Sequence, residues 1–308
     1  MKFERVLIIR DKTRLEQLIE RFNSKAQAKF YIESSGGNFE FFEEEHTTFY
    51  EALSKIKTTV NPFFKYKVIH RSFLPTYIFT AQDLVVVIGQ DGLVANTAKY
   101  VNGLPIIGIN PDLERYDGIL LKHSVNDFHY LLKAVTKERY TIQQVTMAKA
   151  TLNNGQVLLA FNDFYIGADS HVSSRYTISY NGQKEAQSSS GIIVSTGAGS
   201  TGWLSSVFNM ANNISTYYHH QQNDKTILDW TDDQLIFVVR EPFMSKVSQT
   251  GIGVGTITGK QKLKIESSMP AHGIIFSDGI EADFLNFNSG STVEITIAEE
   301  KANLVVRG

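Results

Sequence analysis

One stretch constrains the fold more than any other: Leu84-Val85-Val86-Val87-Ile88, followed directly by Gly89-Gln90-Asp91-Gly92. Five apolar residues in a row have no polar face, so the strand they form is buried on both sides, as in a parallel sheet covered by helices. A helix is predicted from Val94 to Val101, and Pro105-Ile106-Ile107-Gly108-Ile109 supplies the next strand. Strand, glycine turn, helix and strand make a βαβ unit, whose crossover is right-handed. Earlier segments fit the same layer. Arg5–Ile9 reads as a buried strand, Leu15, Leu18, Ile19 and Phe22 recur at helical spacing, and Lys67–Ile69 is a short strand. Gly36-Gly37 marks a turn, and Glu43-Glu44-Glu45 reads as a solvated stretch. Phe128, Leu131, Leu132 and Val135 predict one more helix.

After about residue 139 the pattern changes. Tyr176, Ile178 and Tyr180 alternate with Thr177 and Ser179, the period-two signal of a half-buried strand. Further short strands are expected at Val157–Phe161, Ile192–Ser195, Leu235–Val239, Leu263–Glu266, Ile274–Phe276 and Val293–Ile297. Many short strands with turns between them predict a sandwich. A helix follows Thr201, with Val207, Met210 and Ala211 on one face, and residues 212–233 read as a polar loop. The expected fold class is therefore α/β plus β: an N-terminal Rossmann-like α/β domain over 1–138 and a C-terminal β-sandwich-like domain over 139–296. Residues 297–308 are expected to return to the N-terminal domain.

Charge and composition narrow the function classes. Thirty Lys and Arg against 32 Asp and Glu leave a net charge of −2. No global basic field exists to hold nucleic acid or an anionic membrane. Without cysteine there is no disulfide, zinc–thiolate centre, iron–sulfur cluster or thiol nucleophile. The apolar runs are far shorter than the ~20 residues that span a bilayer, and the opening MKFERVLIIRDK lacks a signal-peptide pattern. The expectation is a cytoplasmic protein with no membrane partner.

Two glycine-rich turns carry chemistry. In residues 85–93, glycines between strand and helix let backbone N–H groups approach a phosphate, and the helix dipole favours the anion. Asp91 would repel a phosphate, so an acid there suits a magnesium ligand or a group that takes a proton from an attacking hydroxyl. On spacing alone the turn reads equally as a plain Asp-Gly connection. In residues 189–203, SSGIIVSTGAGSTGW, small residues and hydroxyls could wrap a nucleotide and Trp203 could stack on a base. A Ser/Gly loop with Trp203 in the core is the alternative.

Together these segments resemble the NAD kinase family. Gly89-Gln90-Asp91-Gly92 is similar to its Gly-Gly-Asp-Gly signature, which lipid-kinase relatives share, and Gly108-Ile109-Asn110-Pro111 to its Gly-Ile-Asn segment. Phe161-Asn162-Asp163 resembles its Asn-Glu/Asp pair, and Ser195–Trp203 its Thr-x-x-Gly-Ser-Thr-Ala-Tyr stretch. Ser277-Asp278-Gly279 with Gly290 resembles its C-terminal Asp-Gly…Gly pattern. Lys12-Thr13-Arg14, Asn110-Pro111-Asp112, Ser189-Ser190-Gly191, Trp203 and Arg240-Glu241-Pro242 look most like the mitochondrial-type branch.

The resemblance implies ATP and Mg²⁺ as donor and metal, NAD as acceptor, and a homo-oligomer. Asp91 would deprotonate the 2′-hydroxyl of the adenosine ribose, with Gly89 and Gly92 near phosphates. Asn162 would face the adenosine half of NAD, Asp163 a ribose hydroxyl and Thr201 the adenine. Trp203 would replace a stacking Tyr, while Gly202 and Ser206 complete that side. Ser190 stands where many members carry an Asp for the nicotinamide amide. Arg10, Lys12, Arg14 and Arg71 are candidates for donor phosphates, with solvated surface charge as the alternative. His219-His220 reads as surface, so no protein metal cluster is expected. Gln90 in place of the second glycine is expected to strain the loop if that position needs a positive φ. Leu93 in place of Thr removes a hydroxyl. Those two departures leave open a non-catalytic nucleotide-binding protein, and the signature shared with lipid kinases leaves open a kinase of another small hydroxyl substrate.

Overall fold

The computed structural model describes residues 3–218 and 227–306 and divides the chain into two units. The first comprises residues 1–143 with 303–308, the second residues 144–302.

In the first unit, β1 (Arg5–Arg10) leads to helices α1 (Arg14–Phe22), α2 (Lys25–Ser34) and α3 (Glu40–Val60), then β2 (Lys65–His70). The chain returns through β3 (Asp83–Ile88), α4 (Asp91–Ala98), β4 (Pro105–Asn110), the short β5 (His123–Ser124) and α5 (Phe128–Thr136). Strands β2, β1, β3 and β4 lie in that order, all parallel. Every residue of β3 is buried, as its unbroken apolar run requires. Helices α3 and α5 lay Phe49, Leu53, Ile56, Phe128 and Leu132 against Val6, Ile8, Val86 and Ile107 of the sheet.

Two expectations change here. Glu43–Glu45 is not a uniformly solvated stretch: it lies in the 21-residue α3, and Glu45 is only 6% exposed because an arginine meets it there. The helix after the βαβ turn begins at Asp91 itself and ends at Ala98.

The second unit continues through β6 (Thr141–Leu152), β7 (Val157–Ala160), β8 (Asp163–Ala168), β9 (Ser174–Tyr180), β10 (Gln183–Ser189) and β11 (Ile192–Ser195). Helix α6 (Trp203–Tyr217) follows, then β12 (Leu235–Val239), β13 (Val254–Ile257) and β14 (Leu263–Ser267). Last come β15 (Gly273–Ser277), β16 (Ile280–Asn286) and β17 (Thr292–Val306). One antiparallel layer runs β10-β9-β14-β17 and the other β13-β12-β11-β8-β15-β16. Tyr176, Ile178, Ile265 and Val293 from the first layer share a core with Phe164, Ile192, Val194, Phe237 and Ile275 from the second. This is the expected sandwich. Residues 303–304 of β17, which belong to the first unit, pair in parallel with β4. The polar stretch after residue 211 is shorter as a loop than expected, since α6 runs on to Tyr217.

Candidate functional site

In the first unit the chain leaves β1 toward β2 and then crosses back to β3, so the strand order reverses between β1 and β3. Ligands of open α/β sheets bind at the carboxyl ends of the strands at such a reversal. The two segments found there are Arg10-Asp11-Lys12-Thr13 after β1 and Gly89–Gly92 after β3.

Gly89 has φ +152°, a conformation that a side chain strains, and a Cβ on it would also press Leu93 at 3.3 Å. Gln90, by contrast, sits at φ −113° and ψ 161°, ordinary extended backbone. The expected strain at the second position of the signature is therefore absent. Leu93 is buried in the core beside Gly89, so its side chain serves packing where a Thr would offer a hydroxyl.

Asp91 opens α4, where the helix dipole favours its charge. Its carboxylate is held by backbone: Oδ1 accepts from the N–H of Leu120 (2.9 Å) and Leu121 (3.1 Å), Oδ2 from that of Ile119 (3.0 Å). A carboxylate has about four lone-pair sites, so one on Oδ2 stays available to a ligand hydroxyl. The segment 119–121 lies so close to β4 that a Cβ on Gly108 would stand 2.5 Å from the Leu120 carbonyl oxygen. Asn110 Nδ2 donates to the Tyr116 carbonyl (2.9 Å), and Asn110 Oδ1 accepts from the Asp112 N–H (3.0 Å). The Gly108-Ile109-Asn110 motif thus has a local physical cause: it seats the loop that grips Asp91.

Each of the four candidate donor cations meets a carboxylate. Arg10 pairs with Glu16, Lys12 with Glu20 (2.5 Å), Arg14 with Glu45 (2.5 Å) and Arg71 with Asp11 (2.9 Å). Arg10 and Lys12 also line a groove of about 570 Å³ with Lys67, His70, Phe73 and Tyr77. An incoming phosphate would share or exchange these acidic partners.

The second unit gathers most of the remaining candidates. Asp278, at φ +56°, repeats the Asp91 device. Its carboxylate accepts the N–H groups of Phe161 (3.0 Å), Asn162 (2.6 Å) and Asp163 (3.3 Å). Opposite it, Thr196 Oγ1 donates to the Phe161 carbonyl (2.6 Å) and the Thr196 N–H to that of Asn162 (2.9 Å). Asp278 and Thr196 were not among the residues the sequence pointed to as site residues; the signal was the Asp-Gly step and the small-residue loop around them. Thr201, Gly202 and Ser206 are exposed at the start of α6. Trp203 is half-buried, stacked on Tyr165 (centroids 6.0 Å, planes 12° apart) with the Arg240 guanidinium 5.6 Å over its ring. Tyr165 fits because Gly191, at φ +98°, has no Cβ, which would stand 2.6 Å from the Tyr ring. That accounts for the glycine of Ser189-Ser190-Gly191, and Ser190 donates its N–H to the Arg240 carbonyl. His219-His220 lie outside the described residues.

Asp163 is 8% exposed and its carboxyl is pushed up to about 7, first by burial and then by the charge of Asp278. An unfolded Asp titrates near pH 4 (about 3.9). Between these values the folded chain holds a proton that the unfolded chain does not, so this group's contribution to stability falls as pH rises from about 4 to about 7. Asp163→Asn should therefore gain on the wild type across that window. Thermal melts at both ends of the window, with a melting-temperature difference that does not grow toward neutral pH, would rule this out.

No family model matches the chain. Over 129 residues it is 31% identical to the NAD kinases of two strains of Clostridium kluyveri, a stretch covering 39% of this chain and 44% of those relatives. The chain thus spans less than half the length of the curated relatives it matches. Among solved structures it is similar to yeast NADH kinase complexed with NADH, with a TM-score of 0.66 and 12% identity over 100% of this chain and 84% of that one. It is also similar to an Archaeoglobus fulgidus NAD kinase in complex with ATP, with a TM-score of 0.59 and 14% identity over 97% and 92% of the two chains. The chain thus shares the fold of these two kinases along its length and resembles the Clostridium kluyveri NAD kinases in sequence over that stretch.

Proposed function

We propose that the chain is an NAD kinase, transferring the γ-phosphoryl group of ATP to the 2′-hydroxyl of the adenosine ribose of NAD. The observation that carries this is Asp91: a carboxylate fixed by three backbone amides at the strand-order reversal, with one lone pair of Oδ2 left over. Oδ2 takes the hydroxyl proton as O2′ bonds to the γ-phosphorus. The bond from that phosphorus to the β–γ bridging oxygen breaks, and ADP leaves.

The other roles follow the family pattern. Gly89 and Gly92 lie against phosphate, Asn162 against the adenosine half, Asp163 against a ribose hydroxyl, Thr201 against adenine, and Ser190, Gly202 and Ser206 beside the dinucleotide. Arg10, Lys12, Arg14 and Arg71 receive the donor phosphates. Among the described residues no three His, Asp or Glu side chains gather to hold a metal. Magnesium, which usually binds phosphate oxygens and water with few protein ligands, would supply charge neutralisation on the transferred group when bound with the nucleotide. No described helix is long and apolar enough to cross a membrane; the cytoplasm and a homo-oligomer belong to this same reading.

Formation of NADP⁺ from NAD, ATP and Mg²⁺ in a coupled assay tests the proposal, and no product above background at saturating substrates would overturn it. Base recognition has its own test. Trp203→Ala should weaken NAD binding by about 1–3 kcal/mol, the usual worth of stacking a base on an aromatic ring. Calorimetric titration with unchanged affinity and a lower melting temperature would leave Trp203 serving only the Tyr165 stack.

A further inference from the structure

Gln90, the residue that departs from the glycine signature, has a partner. Its Nε2 donates to the Tyr116 hydroxyl (3.4 Å), and that hydroxyl donates to Glu45 Oε1 (3.0 Å). Glu45 is nearly buried and is held by Arg14 (2.5 Å) and Arg115 (3.7 Å). Both guanidiniums lie over the Phe41 ring, at 4.9 and 4.1 Å from its centroid, and Arg115 also donates to the Phe41 carbonyl (3.2 Å). One phenol therefore joins three elements: the Gly89–Gly92 turn, helix α3, and the loop after β4 that carries Tyr116 itself.

Besides Tyr116 and Arg115, that loop has three other anchors. Its start is seated by Asn110, its turn by the Asp112 carboxylate, which accepts from the Glu114 and Arg115 N–H groups (3.2 Å each), and its end by Asp91. Of these, Asp91 is the one whose direction matters for chemistry. The amides of Ile119, Leu120 and Leu121 set how its carboxylate is turned, and hence where the remaining Oδ2 lone pair points. Arg115 and Tyr116, in the middle of the loop, both tie it to α3, and Tyr116 also reaches the Gly89–Gly92 turn. The Tyr116 phenol is pushed upward, mainly by burial, which keeps the hydroxyl protonated and able to donate to Glu45.

The geometry points to Tyr116 as a positioning residue: through Glu45 on one side and Gln90 on the other, it fixes the 116–121 loop that orients the Asp91 carboxylate, and ties that orientation to Arg14. Gln90 is then a strut that a glycine could not provide. The catalytic part of this inference rests on the kinase reading; the clamp itself does not.

Tyr116→Phe keeps the ring and removes both hydrogen bonds, so it is the decisive variant. Hydrogen exchange of the 119–121 amides, followed by mass spectrometry, should quicken several-fold while the melting temperature moves by only a few degrees. NADP⁺ formation should show kcat lowered roughly 10- to 100-fold, the scale of an ångström-level misplacement at a reacting group, with KM for NAD within about twofold. Gln90→Gly should do the same more weakly, and the double change should cost less than the sum because both act on one hydroxyl. Unchanged exchange at 119–121 in Tyr116→Phe overturns the clamp, whatever the enzyme does. Faster exchange with unchanged kcat overturns the positioning role. A wild type that makes no NADP⁺ removes the kinase reading and leaves the exchange result to decide the clamp alone.

Discussion

Asp91→Asn should lower kcat by about 10²–10⁴, the usual loss on removing a general base, and should also destabilise the first unit. The second effect follows from the loop contacts. An Asn can keep one oxygen under the N–H groups of Leu120 and Leu121, but its amide nitrogen then faces the Ile119 N–H, donor against donor. A lost hydrogen bond with an unsatisfied group costs roughly 1–3 kcal/mol, which is a melting-temperature drop of several degrees. Steady-state kinetics well below the melting point separate the two effects, since they count only folded enzyme. The dissociation constant for NAD should change little, because the base acts on the transition state. If kcat per folded molecule falls less than tenfold, Asp91 is a loop clamp and the proton goes elsewhere. If added Mg²⁺ restores much of the rate, Asp91 serves the metal.

The sequence carried the frame of this fold in features that need no tertiary information. An unbroken apolar run before a glycine turn is a buried strand in any context, and β3 is buried at every residue. Alternation at Tyr176 and Ile178 likewise set the inward face of β9. What stayed hidden depends on partners far along the chain. Glu45 sits in a run of three glutamates, and only α1 and the loop after β4, which bring Arg14 and Arg115 to it, make it an interior residue. Helix α6 extends through Asn212, Asn213, Ser215 and Thr216, residues that favour turns on their own. The backbone angle of Gln90 could not be read from its identity, so strain was expected where the chain is relaxed. The amide clamps on Asp91 and Asp278 leave the least trace. Their donors are main-chain N–H groups, which every residue except proline possesses, so only the two Asp-Gly steps mark them.

Gly199 and Gly92 both lie in glycine-rich segments of the family pattern, yet substitution should have opposite results. A Cβ on Gly92 meets nothing within 4 Å, and the residue lies in the first turn of α4. Gly92→Ala should therefore leave the melting temperature unchanged or slightly raised, since alanine in a helix is worth roughly 0.5–1 kcal/mol over glycine. A Cβ on Gly199 would stand 2.1 Å from the Asn162 carbonyl oxygen and 2.8 Å from Ser195 Oγ. The nearer atom is backbone, so no side-chain rotation relieves the clash. Nor can the 161–163 segment retreat, because Asp278 holds its three amides from the other side. The loop must lift instead. That breaks the bond from the Thr196 N–H to the Asn162 carbonyl and stretches those of Thr196 Oγ1. Overpacking of this kind costs about 1–3 kcal/mol, and each lost hydrogen bond adds about 1 kcal/mol, so Gly199→Ala should melt roughly ten degrees below the wild type. Because Asn162 and Thr201 flank the same contact, NAD affinity should fall with it while Gly92→Ala stays folded. Equal melting temperatures for the two variants would mean that the loop does not lie on Asn162 in solution.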